Sequence, residues 1–342
     1  MSAPEMAKSG DSAIAYENIM VVGGGAWGTA LALAAMQAGT KTLLVARESA
    51  VVDSINIAHE NTIFLPGIAL PKTLPATDDH TVVMRADAVL AVVPAQHLRA
   101  TLAKIATFIR PGVPLTLCAK GIEQGSGMLL TEVLRETVPH AEPAILSGPS
   151  FAHDVAIGLP TAVTIAARLD IAQRLQATLA SGQFRPYASD DITGVALGGA
   201  AKNVYAIGCG VVDGLGLGES ARAALLARSF AELTRLGEAL GARAETLMGL
   251  SGLGDLVLTA SSPSSRNFAF GQKLGRGQPL ADLRKPGTPL AEGVETAPAL
   301  VARARREGVE LPIAETISAV LDGALAPAQA LERLMRRPLR PE

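Results

Sequence analysis

One short run constrains this chain more than any other: Val21-Val22-Gly23-Gly24-Gly25-Ala26-Trp27-Gly28-Thr29-Ala30. Apolar residues stop at three successive glycines and an alanine-rich stretch follows, which is the pattern of a strand turning tightly into a helix. Gly23, Gly25 and Gly28 stand in the spacing G-x-G-x-x-G. The first glycine permits the turn, the second lets backbone approach a diphosphate, and the third lets helix and strand pack closely. By itself the pattern is common. Its surroundings make it specific: a strand at 19–22, a helix at 26–38 stopped by Gly39, and a second strand at 42–46 complete a βαβ unit. A dinucleotide is then expected with its diphosphate on free amides at the positive end of the helix. Trp27, inside the loop, is expected to wall the cofactor.

The tip of the second strand, Ala46-Arg47-Glu48, bears on which dinucleotide. An arginine there accommodates the 2′-phosphate of NADP and an acidic residue bonds the free ribose of NAD. Arg47 favours NADP, and Glu48 leaves NAD open.

Composition settles other questions. The stretch from Asn18 to Thr40 is uncharged and long enough to span a bilayer, but its glycine triplet breaks a helix and the residues before it are mixed in sign. A cytoplasmic protein without stable membrane insertion is expected, with a flexible tail at 1–17. Hydrophobic residues make up 49% and charged ones 18%, enough apolar material for a large core. A net charge of −2 and no basic block exclude nucleic acid as the main partner. Cys118 and Cys209 have neither metal spacing nor a disulfide framework and read as core thiols of a reducing compartment. The five histidines form no metal-spaced pair, so no metal is expected.

Further apolar runs at 88–93, 115–119, 143–146 and 161–166 alternate with helical stretches, one of them at 171–180. Continuous apolar strands between helices predict a parallel sheet covered on both faces. Beyond about Gly194 strand signals stop, and helical spacing such as that over 220–240, closed by Gly241, takes over. The expected fold is α/β, a Rossmann-type doubly wound sheet followed by an all-helical C-terminal domain. The tail would occupy 1–17, the dinucleotide-binding domain 18–195, and the helical substrate and catalytic domain 196–342.

Six further clusters follow in order: Ala119-Lys120-Gly121-Ile122-Glu123, Ser147-Gly148-Pro149-Ser150-Phe151-Ala152, Gly198-Gly199-Ala200-Ala201-Lys202-Asn203-Val204, Gly252-Leu253-Gly254-Asp255-Leu256, Ser264-Ser265-Arg266-Asn267 and Ala291-Glu292-Gly293-Val294. With the glycine loop, this series resembles bacterial NAD(P)-dependent glycerol-3-phosphate dehydrogenases over about residues 18 to 335. The resemblance implies reversible NAD(P)H-dependent reduction of dihydroxyacetone phosphate to sn-glycerol 3-phosphate for glycerophospholipid synthesis, in a homodimer. It implies Lys202 as proton donor and acceptor, with Lys120 and Asp255 beside it. Around the substrate it places Lys120, Gly148, Ser150, Asp255, Ser265, Arg266 and Asn267. Around the cofactor, besides the glycines, it places Ala26, Trp27, Arg47, Lys120, Ala152, Arg266, Leu290 and Glu292. The chain departs from the family pattern at His59, where arginine is usual, and at Leu290, where valine is commoner.

Chemistry asks for the same residue types. Reduction of a ketone leaves negative charge on its oxygen, which an ammonium stabilises and protonates. Burial and a second lysine would lower the pKa of Lys202. Asp255 has two possible partners, Lys202 or a substrate hydroxyl. Arg266 supplies a directional grip on phosphate, and Ser264 or Ser265 would begin a helix at 267–274 whose amides add to it. Singly, each has a plainer reading: solvated lysines, an N-cap at Asp255, a capped surface helix at 265–267. Two other functions share the glycine loop. One is a related two-domain hydroxy-acid dehydrogenase, acting for example on ketopantoate or 6-phosphogluconate. The other is a catalytically silent NADP-binding sensor, against which Lys120, Lys202, Asp255 and Arg266 all count.

Overall fold

The structure, a computed structural model, describes residues 14–285, 287–288, 290–336 and 338. Its sheet has eight strands. They are β1 (Asn18–Val22), β2 (Lys41–Val45), β5 (Ala76–Thr77), β6 (Ala88–Ala91), β7 (Pro114–Leu117), β8 (Glu142–Ser147), β9 (Thr161–Ala166) and β10 (Phe184–Ser189). The order across the sheet is β10-β9-β8-β7-β6-β1-β2-β5. A short hairpin of β3 (Glu60–Asn61) and β4 (Leu65–Ala69) stands apart from it. From β5 through β8 every neighbouring pair is parallel, and the direction of winding reverses between β1 and β6. That reversal opens a crevice at the carboxyl ends of the strands, where the glycine loop lies.

Alternation along the strands shows why both faces are covered. In β1, Met20 and Val22 join one core while Ile19 and Val21 join the other. The helices of this half are α1 (Ala26–Gln37), α2 (Ser49–Asp53), α3 (Leu98–Ile105), α4 (Leu130–Thr137), α5 (Ala152–Ala156) and α6 (Leu169–Leu179). After Ser189 the described residues contain helices and no strand. These are α7 (Ile192–Gly214), α8 (Gly218–Ala239), α9 (Ala244–Met248), α10 (Asp255–Ser261), α11 (Arg266–Gly275), α12 (Leu280–Leu283), α13 (Glu292–Arg306), α14 (Pro312–Leu321) and α15 (Pro327–Met335). The core of one sheet face continues without a break into this helical half. The expected division at 195/196 falls in the first turn of α7, which Asp191 caps by accepting from the Gly194 N–H at 2.8 Å.

Several expectations need correction. The sheet is not wholly parallel: β9 runs antiparallel to β8, and β10 follows β9. The chain leaving Ser147 therefore returns at the same end of the sheet, which keeps residues 148–160 beside the crevice. The sequence reading also lacks β3, β4, β5 and β10. The two-residue strands β3 and β5 carry no period, Pro66 and Gly67 interrupt β4, and Pro186 interrupts β10 in a way only an edge strand tolerates. Of the tail expected at 1–17, residues 1–13 lie outside the described residues, but Tyr16 and Glu17 are docked rather than loose. The Tyr16 ring is buried beneath the Arg174 guanidinium, 4.0 Å from its centroid, and the Lys41 N–H donates to Glu17 O.

Helix α7 is apolar and long enough to cross a membrane, yet its apolar window is wholly buried by neighbouring elements. It is the axis of the helical half. Added to Gly210, a Cβ would stand 2.1 Å from Phe268 O of α11; added to Gly293 at the start of α13, it would stand 2.4 Å from Asn203 O. Only glycine allows these backbones to approach so closely. The starts of α11 and α13 are thereby pressed against the middle of α7, where Lys202 sits.

Candidate active site

The glycine loop gives Gly23 and Gly28 the turn and the close approach that their spacing predicts, and leaves room at Gly25. Gly23 has φ of +127°, which a side chain would strain. A Cβ on Gly28 would lie 1.9 Å from Gly23 O, so the turn closes only with glycine there. A Cβ on Gly25 would meet nothing within 4 Å. Gly25 is the N-cap of α1 and has no side-chain cap, leaving first-turn amides, those of Ala26 and Trp27 among them, without a side-chain partner. Trp27 Nε1 is a buried donor without a partner among the described residues. Open space over Gly25, uncapped amides and an unmet indole N–H fit a dinucleotide diphosphate with its adjoining groups.

Arg47 follows β2, and its side chain is 76% exposed. Glu48 Oε1 accepts from it at 3.0 Å (Nε) and 2.5 Å (Nη2). The two residues whose readings compete for the 2′ position are therefore partners. Ala152 opens α5, which packs on α1, and Leu290 is exposed just before α13.

The charged cluster forms on the other side of the crevice. Asp255 opens α10 directly after the wide π-helical turn Leu250–Gly254, and its carboxylate is buried. Asp255 Oδ1 accepts from Lys202 Nζ at 2.5 Å and Oδ2 from Lys120 Nζ at 2.7 Å. These partners stand 53 and 135 positions away in sequence. One carboxylate thus lies between two ammonium groups, an excess of positive charge in a nearly dry place. Lys120 Nζ also donates to Gly148 O at 3.0 Å, and Lys202 Nζ to Thr259 Oγ1 at 2.8 Å. Burial pulls the Lys202 pKa down to about 8; Asp255 opposes that shift and Lys120 reinforces it. Of the partners open to Asp255, Lys202 is bonded and Lys120 joins it, and Asp255 is not the N-cap of its helix.

Arg266, the exposed first residue of α11, and Glu292, the first residue of α13, complete the ring. Burial raises the Glu292 pKa, against the nearby charges of Arg266, Lys202 and Lys120. Other expected contacts turn inward. Ser150 Oγ donates to Gly148 O at 3.1 Å, and Ser265 Oγ caps α11 by accepting from the Phe268 N–H at 3.2 Å. Asn267 donates to Asn203 Oδ1 at 2.9 Å and accepts from the Gly293 N–H at 2.9 Å. Its amide links the positions that follow Lys202, Arg266 and Glu292 in three helices. Sequence reading missed Thr259 and the bracing role of Asn203. Thr259 sits one helical turn after Asp255, the spacing at which two side chains of a helix meet, and that signal was available.

Two family models cover nearly the whole chain. The N-terminal model of NAD-dependent glycerol-3-phosphate dehydrogenase matches residues 18–172, and the C-terminal model of the same family matches residues 191–332. A protein of Parvibaculum lavamentivorans named glycerol-3-phosphate dehydrogenase, NAD(P)+, is 53% identical over 330 residues, 96% of this chain and 99% of its own. One of Maricaulis maris with the same name is 52% identical over 324 residues, 94% of this chain and 97% of its own. Among solved structures, glycerol-3-phosphate dehydrogenase from Coxiella burnetii superposes with a TM-score of 0.89 at 36% identity, covering 94% of this chain and 99% of that one.

Proposed function

The chain belongs to the NAD-dependent glycerol-3-phosphate dehydrogenase family, and from that premise we propose how its residues divide the reaction. It is an NAD(P)-dependent enzyme that reduces dihydroxyacetone phosphate to sn-glycerol 3-phosphate, reversibly, and supplies glycerophospholipid synthesis. The dinucleotide-binding part is 18–195 and the substrate and catalytic part 196–342.

When bound, the nicotinamide supplies or removes the hydride. The chain holds the dinucleotide with Gly23, Gly25 and Gly28, the amides at Ala26 and Trp27, Arg47, Ala152, Leu290 and Glu292. Lys202 donates to the ketone oxygen and gives it a proton as negative charge develops there; in reverse, the neutral amine takes the proton from the alcohol. Lys120 adds a second positive charge at that oxygen. Asp255 holds both lysines, and Thr259 fixes the direction of the Lys202 amine. Arg266 grips the phosphate, helped by backbone amides at the start of α11, where Ser265 and Asn267 contribute main chain. Gly148 and Ser150, in the loop after β8, border the substrate, and Gly148 O holds the Lys120 ammonium. Arg47 makes NADPH the preferred cofactor, and Glu48 limits the preference. The partner set is a phosphorylated triose and a second copy of the chain, in the cytoplasm.

The observation that carries this reading is Asp255 shared between Lys120 and Lys202 and facing the starts of α11 and α13. The test is loss of NAD(P)H absorbance with dihydroxyacetone phosphate, run separately with each cofactor. Rapid oxidation, faster with NADPH, is expected. Turnover of hydroxy acids instead, or cofactor binding without turnover of any substrate, overturns the assignment. Light scattering at the mass of one chain overturns the dimer.

A further inference from the structure

We propose that Asn61 is a positioning residue for the cofactor, acting through the peptide between Gly24 and Gly25. This rests on the reading of the glycine loop as a diphosphate cradle and adds to it a residue from outside the βαβ unit.

Asn61 is fully buried. It donates to Gly24 O at 2.8 Å and to Thr29 Oγ1 at 2.8 Å, and accepts from the Phe64 N–H at 3.1 Å. Both amide protons thus go to the glycine loop and the first turn of α1, and the oxygen holds the tip of the β3–β4 hairpin. Thr29 passes the contact on by donating to Gly25 O at 3.0 Å. In a trans peptide the C=O and the following N–H point in opposite directions. Fixing Gly24 O therefore fixes the direction of the Gly25 N–H. Gly24 and Gly25 have no side chains to hold that peptide plane themselves, and glycine pairs are the most easily reoriented part of any backbone. An external brace is what a pre-formed cradle at this place requires.

The brace is itself anchored. Ser54 Oγ donates to Glu60 O at 2.6 Å, the Gly67 N–H donates to Glu60 Oε1 at 2.7 Å, and the Leu70 N–H donates to His59 O at 2.8 Å. Asn56 exchanges two hydrogen bonds of 2.9 Å with the backbone of Ala76 in β5. The hairpin is thus fixed to the sheet edge independently of the glycine loop, and Asn61 transmits that rigidity to the cradle.

Trp27 is the chain's single tryptophan and lies in the first turn of α1, directly after the glycine loop, so its fluorescence is the probe of cofactor binding. Asn61→Asp keeps the size and the acceptor for Phe64 but cannot donate to Gly24 O; Asn61→Ala removes both. The expected result is a Kd for NADPH weakened by about 10- to 100-fold in both variants. At saturating NADPH, kcat and the KM for dihydroxyacetone phosphate stay near wild type. Should Asn61→Ala fail to fold, Thr29→Val removes the hydroxyl link alone and is expected to weaken NADPH in the same way, by less. A wild-type Kd in Asn61→Asp, or a loss confined to kcat at saturating cofactor, overturns the proposal. A wild-type chain that binds neither NADPH nor NADH overturns the cradle reading itself, a separate outcome.

Discussion

The two sides of the crevice are built on opposite principles. The cradle between β1 and α1 uses main chain: glycines adjacent in sequence, amides with no side-chain cap, and free space where a Cβ on Gly25 would project. The cluster at Lys120, Lys202 and Asp255 uses charged side chains contributed by three distant segments. Backbone amides are already oriented by the helix they begin, so the cradle needs little beyond correct turns. Buried charges are costly without partners, so the cluster requires each member to compensate the others. Changes on one side should therefore alter cofactor affinity, and on the other turnover and its pH dependence.

The largest effect is expected from Lys202→Ala. Losing the group that protonates the developing oxyanion should lower kcat by about 10²- to 10⁴-fold. Quenching of Trp27 by NADPH should be nearly unchanged, and a comparable loss of NADPH affinity would break the division between the two sides. Next is Gly25→Val, the mirror experiment. Its side chain enters space that the protein leaves open, so folding is retained while a displaced cofactor costs affinity or rate on the order of 10²-fold. Normal NADPH binding by this variant would contradict the cradle.

The pH profile sharpens the comparison. Lys202 loses its proton near pH 8, so kcat/KM for ketone reduction should fall as pH rises through that value. Asp255 holds the lysine's proton on, so in Asp255→Asn the fall should begin at lower pH, with a lower plateau. The Kd for NADPH should show no matching break. The smallest effect belongs to Glu48→Gln, which releases the Arg47 guanidinium and removes a negative charge beside the 2′ position. The ratio of NADPH to NADH efficiency should rise roughly 2- to 5-fold, the scale of an exposed ion pair. A fall in that ratio would show that Glu48 orients Arg47 for the phosphate rather than competing with it.

How much could be read beforehand follows the same line. The βαβ unit and the helical second half lie in local pattern, because strand and helix periods are properties of neighbours in sequence. β3 and β5 escape, since two-residue strands have no period; β4 escapes because Pro66 and Gly67 interrupt it, and β10 because Pro186 disguises an edge strand. The reversal of β9 depends on which side of the sheet the chain returns to, which no strand pattern encodes. At the site, Lys202, Lys120, Asp255 and Arg266 stood out through their clusters. The cap at Ser265 was among the readings open at that helix start, but the inward duty of Asn267 was not, because a hydrogen-bonding side chain looks the same whether it faces ligand or protein.

By itself, then, the sequence determined the βαβ unit, the helical second half and the glycines of the cradle, which follow from local pattern and backbone geometry. Only the tertiary structure decided the chemistry of the cluster. Whether an ammonium titrates near 8 or as a solvated lysine, and whether Asp255 caps a helix or is shared by two lysines, depends on burial and on groups distant in sequence. Those are properties of packing, and they exist only once α7, α10 and the loop after β7 have come together.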